Sequence, residues 1–274
     1  MKTFLKIFSV LAVLTLIASL VPMSAMAYAP VTEAFTVKVT AKGPTPETPE
    51  VYTIRMTADG NYPMPGGKTG GSADLKITGP GSGTFPAMSF DNIGIYTYTI
   101  KMIAGKSLGV KYDSAVYHLK LTVVREDEKL VVYRALRKEG VSGKVDDCIF
   151  VVEYPSVSQI VKKAWDDSNN ANKKRPTSVK VALKADGKTV KSVTLDENNG
   201  WAYTVRNLPV YRNGEKIKYT WEEETVTNYD LTSTKTSGTV TTLTNKEKKP
   251  NGPPVPPVDD LGMGMYVNLG ECIE

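Results

Sequence analysis

The stretch "IVKKAWDD", residues 160–167, decides how this chain is read. Val157, Val161 and Trp165 fall on alternate positions, as on a β-strand with one buried face. Lys163 falls on that same face, between Val161 and Trp165. Two later segments break their apolar alternation in the same way. In "KYTWEEE" (218–224), Tyr219 and Trp221 alternate and Glu223 continues their face. In "TVTTLTNKE" (239–247), Thr241 and Leu243 alternate and Asn245 continues theirs. A first strand thus buries a lysine, a late strand a glutamate and the last strand an asparagine.

A charge in a low-dielectric core costs several kcal/mol unless it is paired or neutralised. Burial lowers a lysine pKa and raises a glutamate pKa, so such a pair is pushed towards a neutral amine beside a neutral acid. A neutral amine is a nucleophile, and a neighbouring carboxamide is the side-chain electrophile this set offers. The acid polarises the amide carbonyl and passes the proton to departing ammonia. The expected product is an amide crosslink from Lys163 to Asn245, with Glu223 as the proton shuttle. The plainer alternative is that Lys163 snorkels past the strand edge and Glu223 belongs to an exposed run, Glu222-Glu223-Glu224.

Outward from this stretch the pattern is β throughout. Strands are expected at 157–165, 178–185, 188–195, 200–206, 215–223, 227–234 and 238–245. "ADGK" (185–188) reads as a hairpin turn, because Asp-Gly tolerates the positive φ that such turns require. "ENNGW" (197–201) reads as another turn. Seven strands in about ninety residues is the size of an immunoglobulin-like sandwich. Before the boundary at Pro155, Phe35/Val37/Val39, Tyr52/Ile54/Met56, Tyr96/Tyr98/Ile100 and Leu119/Leu121/Val123 alternate likewise. Glycine- and proline-rich punctuation separates them, as in "GPTPETPE", "GPGSG" and "PMPGGKTGGSADLK" (63–76), the last read as a long glycine-rich loop. The expected fold class is all-β, two immunoglobulin-like β-sandwiches in tandem.

The N-terminus, "MKTFLKIFSVLAVLTLIASLVPMSAMA", has a basic start at Lys2 and Lys6, an apolar run from Ile7 to Val21 and a small-residue site, Ala25-Met26-Ala27. This reads as a secretory signal peptide over 1–27, cut after Ala27; the alternative is an uncleaved anchor. Without Lys2 and Lys6 the formal net charge falls from +5 to +3. So weak an excess, with no basic block, does not argue for nucleic acid. At the other end "EKKPNGPPVPPVDD" is a proline-rich linker that excludes helix and central strand. The tail after it is too short to span a bilayer. Together they form a segment over 249–274, and no membrane span is expected in the mature chain.

The two cysteines, Cys148 and Cys272, form no C-x-x-C or Cys/His cluster, and whether they pair is open. No metal or cofactor is expected. His118 is the only histidine. It sits on an alternating strand with no evident nucleophile, which removes the usual general base of hydrolases. An enzyme is not expected.

The second half closely resembles the collagen-binding-protein B-type (Cna B-type) domain. The carrying stretches are "VKKAWDDSNNANKKRPTSVKVALKADGKTV", "LDENNGWAYTVRNLPVY", "IKYTWEEETVTNY" and "TLTN", in order and nearly without gaps over 157–248. In that family a lysine two residues before the tryptophan, a strand glutamate and the asparagine of a final "TN" form an intramolecular isopeptide bond. These fall on Lys163, Glu223 and Asn245, the residues that strand parity singles out. The resemblance therefore implies a B-type sandwich over 155–248.

Residues 28–154 resemble the isopeptide-linkage domain of Gram-positive major pilins, through "YTIRMTAD", "FDNIGIYTYTIKM", "GVKYDSAVYHLKLTVV" and "CIFVVEYP". Here the chain departs from the family pattern. Met102 stands where the glutamate is expected, Val152 where the asparagine is expected, and Val39 aligns with the lysine. Lys38 is one residue away, on the opposite face. Replacing all three polar partners together leaves no orphaned buried group, so no crosslink is expected in this domain.

These resemblances imply a secreted, non-enzymatic surface protein of a Gram-positive bacterium, a stalk or minor-pilin-like spacer. They also imply partners among other cell-surface or pilus proteins. The alternative is an adhesin that holds a host matrix protein or glycan through loops at the sandwich ends, the 63–76 loop among them. No L-P-x-T-G-like signal follows the proline linker, and "EYPS" lacks the lysine of a Tyr-Pro-Lys pilin motif, so attachment, the ligand, the role of the tail and the oligomeric state stay open.

Overall fold

The computed structural model describes residues 28–249. The signal peptide read at 1–27, the tail 250–274 and Cys272 lie outside the described residues. The chain divides into two compact units, with the boundary between Tyr154 and Pro155. Every helix or strand among the described residues is a β-strand.

The first unit contains β1 (Val31–Lys42), β2 (Val51–Ala58), β3 (Pro63–Met64), β4 (Lys68–Thr69), β5 (Ser72–Thr78), β6 (Gly81–Phe90), β7 (Gly94–Ile103), β8 (Val116–Glu126), β9 (Lys129–Lys138) and β10 (Ile149–Glu153). One sheet has the order β5-β2-β7-β8-β9, antiparallel throughout. The other has the order β10-β1-β6, with β1 and β10 parallel. Alternate side chains of both sheets point inward, because successive Cβ atoms of a strand face opposite ways. Phe35, Val37 and Val39 of β1, Phe150 and Val152 of β10, and Ile54, Met56, Tyr98, Ile100, Leu119 and Leu121 of the larger sheet form one buried cluster. Each such side chain contributes roughly 1.5–3 kcal/mol when fully withdrawn from water.

The glycine-rich segment at 63–76 is not a long free loop. β3 and β4 pair as a small hairpin, and Ser72 already begins β5, which runs antiparallel to β2 from Thr57↔Ser72 onward. Met64 is buried, and the Tyr98 hydroxyl donates to the Pro63 carbonyl at 2.7 Å. Backbone pairing and one buried methionine hold the segment against the sheet. β6 carries Pro86 inside a strand. This is compatible with pairing because β6 is an edge strand and its register with β1 shifts between Glu33 and Phe35.

The second unit contains β11 (Ser156–Asp166), β12 (Ser178–Ala185), β13 (Lys188–Asp196), β14 (Ala202–Pro209), β15 (Tyr211–Arg212), β16 (Glu215–Lys216), β17 (Tyr219–Glu223), β18 (Tyr229–Ser237) and β19 (Val240–Glu247). The sheets have the orders β14-β11-β19-β18 and β13-β12-β17. The strand expected at 215–223 is interrupted: β16 pairs with β15, and β17 starts at Tyr219. Asp186 and Gly187 close the β12–β13 hairpin with φ of 50° and 81°, the sign that Asp-Gly accepts in such a turn. The core contains Val161, Val181, Leu183, Leu195, Trp221, Tyr229 and Leu243. First and last strands of the unit, β11 and β19, lie side by side in parallel.

Candidate functional site

β11 places Val161, Lys163 and Trp165 on one face, and that face is the inward one: Val161 is 0% and Lys163 8% exposed. The side chain of Lys163 is wholly buried, at 0%. It does not snorkel. Glu223 arrives from the opposite sheet, where β17 pairs with β12 at Val181↔Glu223. Its side chain is 3% exposed, while Glu222 and Glu224 on either side are exposed. The run of three carboxylates therefore splits by strand parity. Glu222 pairs with Lys184 on the outside, and Glu223 points into the core.

Lys163 Nζ lies 3.1 Å from Glu223 Oε1 and donates to the Leu243 carbonyl at 3.2 Å. It also sits 4.7 Å from the centroid of the Trp165 ring. Burial pulls the Lys163 pKa below the ordinary lysine value, and the Glu223 carboxylate only partly opposes that pull. In the parallel ladder Lys163 is level with Leu243 and Trp165 with Asn245. Asn245 is thus the diagonal neighbour of Lys163 on the adjoining strand, facing the same interior. It is 1% exposed, and neither its Oδ1 nor its Nδ2 has a hydrogen-bond partner. An unsatisfied buried polar atom costs about 1–3 kcal/mol, so this carboxamide is held in a place that its ordinary bonding does not explain. The three residues that parity picked all face the interior of the unit: a desolvated amine, a carboxylate in contact with it and, one diagonal step along the adjoining strand, an unpartnered amide.

Sequence reasoning missed the group that fixes the aromatic wall of this cluster. Asp167 has a fully buried side chain and takes two bonds from Arg175, at 2.7 and 3.0 Å, one from the Tyr229 hydroxyl at 3.0 Å and one from the Asn170 amide at 2.9 Å. Arg175 holds the Asp167 carboxyl below the usual carboxylate range. The same Arg175 lies 5.3 Å from the Trp165 ring, which Trp201 and Tyr229 meet edge-on at 5.1 and 4.9 Å. A signal was present, since Asp167 continues the parity of 161, 163 and 165 just past the end of β11.

The first unit repeats this geometry with apolar residues. Val39 is level with Phe150 in the parallel β1–β10 ladder, and Val152 stands two residues further on. That is the offset of Lys163, Leu243 and Asn245. Met102 pairs with Ile54 across β7–β2, as Glu223 pairs with Val181 across β17–β12. Val39, Met102 and Val152 are 1%, 7% and 0% exposed, within one hydrophobic cluster. Lys38 is exposed on the opposite face.

The remaining candidates are ordinary. His118 is half exposed and bonds Glu139 at 2.9 Å on the outer surface. Cys148 is buried, and desolvation pushes its thiol up to about 12. Among the described residues no group of three or more His, Cys, Asp or Glu side chains is placed to hold a metal.

Comparison with known proteins gives two family matches. Residues 24–154 match the family described as Spy0128-like isopeptide containing domain, and residues 160–246 match the Cna protein B-type domain. The collagen adhesin of Staphylococcus aureus is 42% identical over 85 residues, which are 31% of this chain and 7% of that protein. The chain thus spans under a tenth of the length of that relative. Among solved structures, the major pilin from Streptococcus pyogenes is 20% identical and covers 80% of this chain and 99% of its own, with a TM-score of 0.43. A single B repeat unit of the collagen binding surface protein of Staphylococcus aureus is 20% identical and covers 80% and 100%, with a TM-score of 0.33.

Proposed function

We propose that this chain is a non-enzymatic structural protein of a Gram-positive cell surface, a stalk or minor-pilin-like spacer. Its second unit locks itself with one amide between Lys163 and Asn245. The observation that carries the reading is the buried Lys163 amine in contact with Glu223, beside an Asn245 carboxamide without a hydrogen-bond partner. The two family matches, one to an isopeptide containing domain and one to the Cna protein B-type domain, support it.

In the reaction the neutral Nζ attacks Cγ of Asn245. Glu223 is the proton shuttle: it takes a proton from the attacking amine and gives one to the departing amide nitrogen, so it ends as it began. The new Nζ–Cγ bond replaces the Cγ–Nδ2 bond, and ammonia leaves. No oxidant, metal or cofactor enters the balance. It happens once per molecule, so there is no turnover.

The bond closes a loop of 82 residues, from 163 to 245, between adjacent first and last strands. In the chain-entropy treatment of crosslinks such a loop restricts the unfolded chain by on the order of 4 kcal/mol. The mechanical effect is larger. Force entering at β11 and leaving at β19 passes through the covalent bridge rather than through ladder hydrogen bonds. A spacer under tension gains from that, whereas a turnover enzyme would not.

Intact mass spectrometry of the secreted protein tests the reading. The expected mass is the sequence mass of the mature chain less about 17 Da, the ammonia lost when one activated amine displaces an amide nitrogen. A mass without that deficit would leave Lys163 and Asn245 as unreacted core residues.

A further inference from the structure

The outward face of the five-stranded sheet carries a feature that the crosslink chemistry does not use. Thr97 of β7, Thr122 of β8 and Ala135 of β9 have the parity opposite to buried Tyr98, Leu121 and Leu136, so they face away from the core. All three are short, and they floor an open groove of about 460 Å³. Lys120 is level with both Thr97 and Ala135, and Arg137 stands two residues beyond Ala135. Lys144, on the loop after β9, completes this side. Tyr133 walls the other side. It is 52% exposed, and its hydroxyl donates to Glu126 at 2.6 Å.

The charge balance is one-sided. Lys120, Arg137 and Lys144 line the groove against a single carboxylate, Asp59, which accepts a bond from Thr99 at 3.1 Å. His118, at the margin, bonds Glu139. Arg134 lies 3.8 Å from Glu33. Among the described residues no carboxylate lies within ion-pair distance of Lys120, Arg137 or Lys144. Three exposed cations thus share one concave strip of sheet without counter-charges.

We propose that this groove binds an acidic polysaccharide, one that carries carboxylate or sulfate groups on its rings. The guanidinium of Arg137 offers the forked donor geometry that carboxylates and sulfates accept, and Lys120 and Lys144 supply point charges along the same strip. The hydroxyls of Thr97 and Thr122 match sugar hydroxyls on the floor. The Tyr133 ring offers an apolar face with a polar tip, held by Glu126, for a ring to pack against. A single-stranded nucleic acid fits less well: it asks for several stacking aromatics along a cationic track, and this groove has only the Tyr133 ring and the His118 imidazole, which is tied to Glu139, and spans three strands, roughly 10 Å. The inference is independent of the crosslink, which lies in the other unit.

The test uses the full chain and a heparin-derived hexasaccharide, titrated by calorimetry at low salt. The triple variant Lys120→Ala, Arg137→Ala, Lys144→Ala is expected to bind at least about ten-fold more weakly, a loss of about 1.4 kcal/mol. Tyr133→Ala is expected to weaken binding several-fold without changing net charge, which marks ring packing rather than general attraction. A charge-matched triple in the second unit, Lys180→Ala, Lys191→Ala, Lys235→Ala, should stay within about two-fold of the parent, because none of these lysines lines the groove. The proposal is overturned if the hexasaccharide does not bind, or if both triples weaken it equally. It is also overturned if inorganic polyphosphate or a DNA oligonucleotide binds as tightly as the hexasaccharide and Tyr133→Ala affects none of them.

Discussion

Lys163 and Asn245 are diagonal neighbours across the parallel β11–β19 ladder. Lys163 is level with Leu243, Asn245 stands two residues on, and both side chains face one interior. They belong to the first and last strands of the unit, so the chain between them is nearly the whole unit whichever way the strands run. A crosslink between these two strands therefore restrains the most chain.

Removing either reacting partner, or the acid, should abolish the reaction. Lys163→Ala, Asn245→Ala and Glu223→Ala are each expected to restore the full sequence mass of the mature chain in an intact-mass measurement. Each should also lower the thermal midpoint of the second unit, because the unfolded chain regains the freedom that the bridge removes, on the order of 4 kcal/mol. The first unit should melt unchanged. A variant that keeps the deficit would show that its residue takes no part.

Limited proteolysis after mild heating should separate the units. The fragment that survives is expected to begin near Pro155, since only the second unit holds the Lys163–Glu223–Asn245 set. If the resistant fragment is 28–154 instead, the two core sets have been assigned to the wrong units.

Asp167 should matter to the stability of the second unit in a pH-dependent way. Its folded pKa is depressed, first by Arg175, so the stability it contributes is present above the ordinary carboxylate range and is lost as pH falls through the folded value. Asp167→Asn is expected to lower the thermal midpoint at pH 7 by several degrees, because it leaves Arg175 without its charge partner beside Trp165. Below about pH 4 the gap between parent and variant should shrink, as the parent carboxylate protonates too. A gap that is constant from pH 7 to pH 3 would assign the effect to packing alone.

The shared register predicts that chemistry can be moved into the first unit. Val39→Lys alone should destabilise that unit by several kcal/mol, since the ammonium would face Met102 and Val152 with no carboxylate or amide. Adding Met102→Glu and Val152→Asn should recover part of the loss and produce a second deficit, about 34 Da in all, by the same amine chemistry. Unfolding of the single variant with no rescue and no added deficit in the triple would show that the offset of Val39 and Val152 does not place reacting atoms as Lys163 and Asn245 are placed.

Strand parity by itself determined that the chain is all-β and that Lys163, Glu223 and Asn245 continue buried faces. Those facts follow from the period of two, which needs no knowledge of partners. Parity also separated Lys38 from Val39. It did not reveal β6, because Pro86 and two glycines mask a strand whose edge position and bulge tolerate them. It misread 63–76, because glycine content reports conformational freedom and cannot report that β3, β4 and β5 find partners there. Only the tertiary structure decided that the Lys163 amine stays inside instead of reaching water, that Glu223 comes from the facing sheet, and that Asn245 lies beside the lysine with no other bond to make. Burial and partner choice are properties of two sheets meeting, and a local pattern along one strand carries no information about what stands across the core.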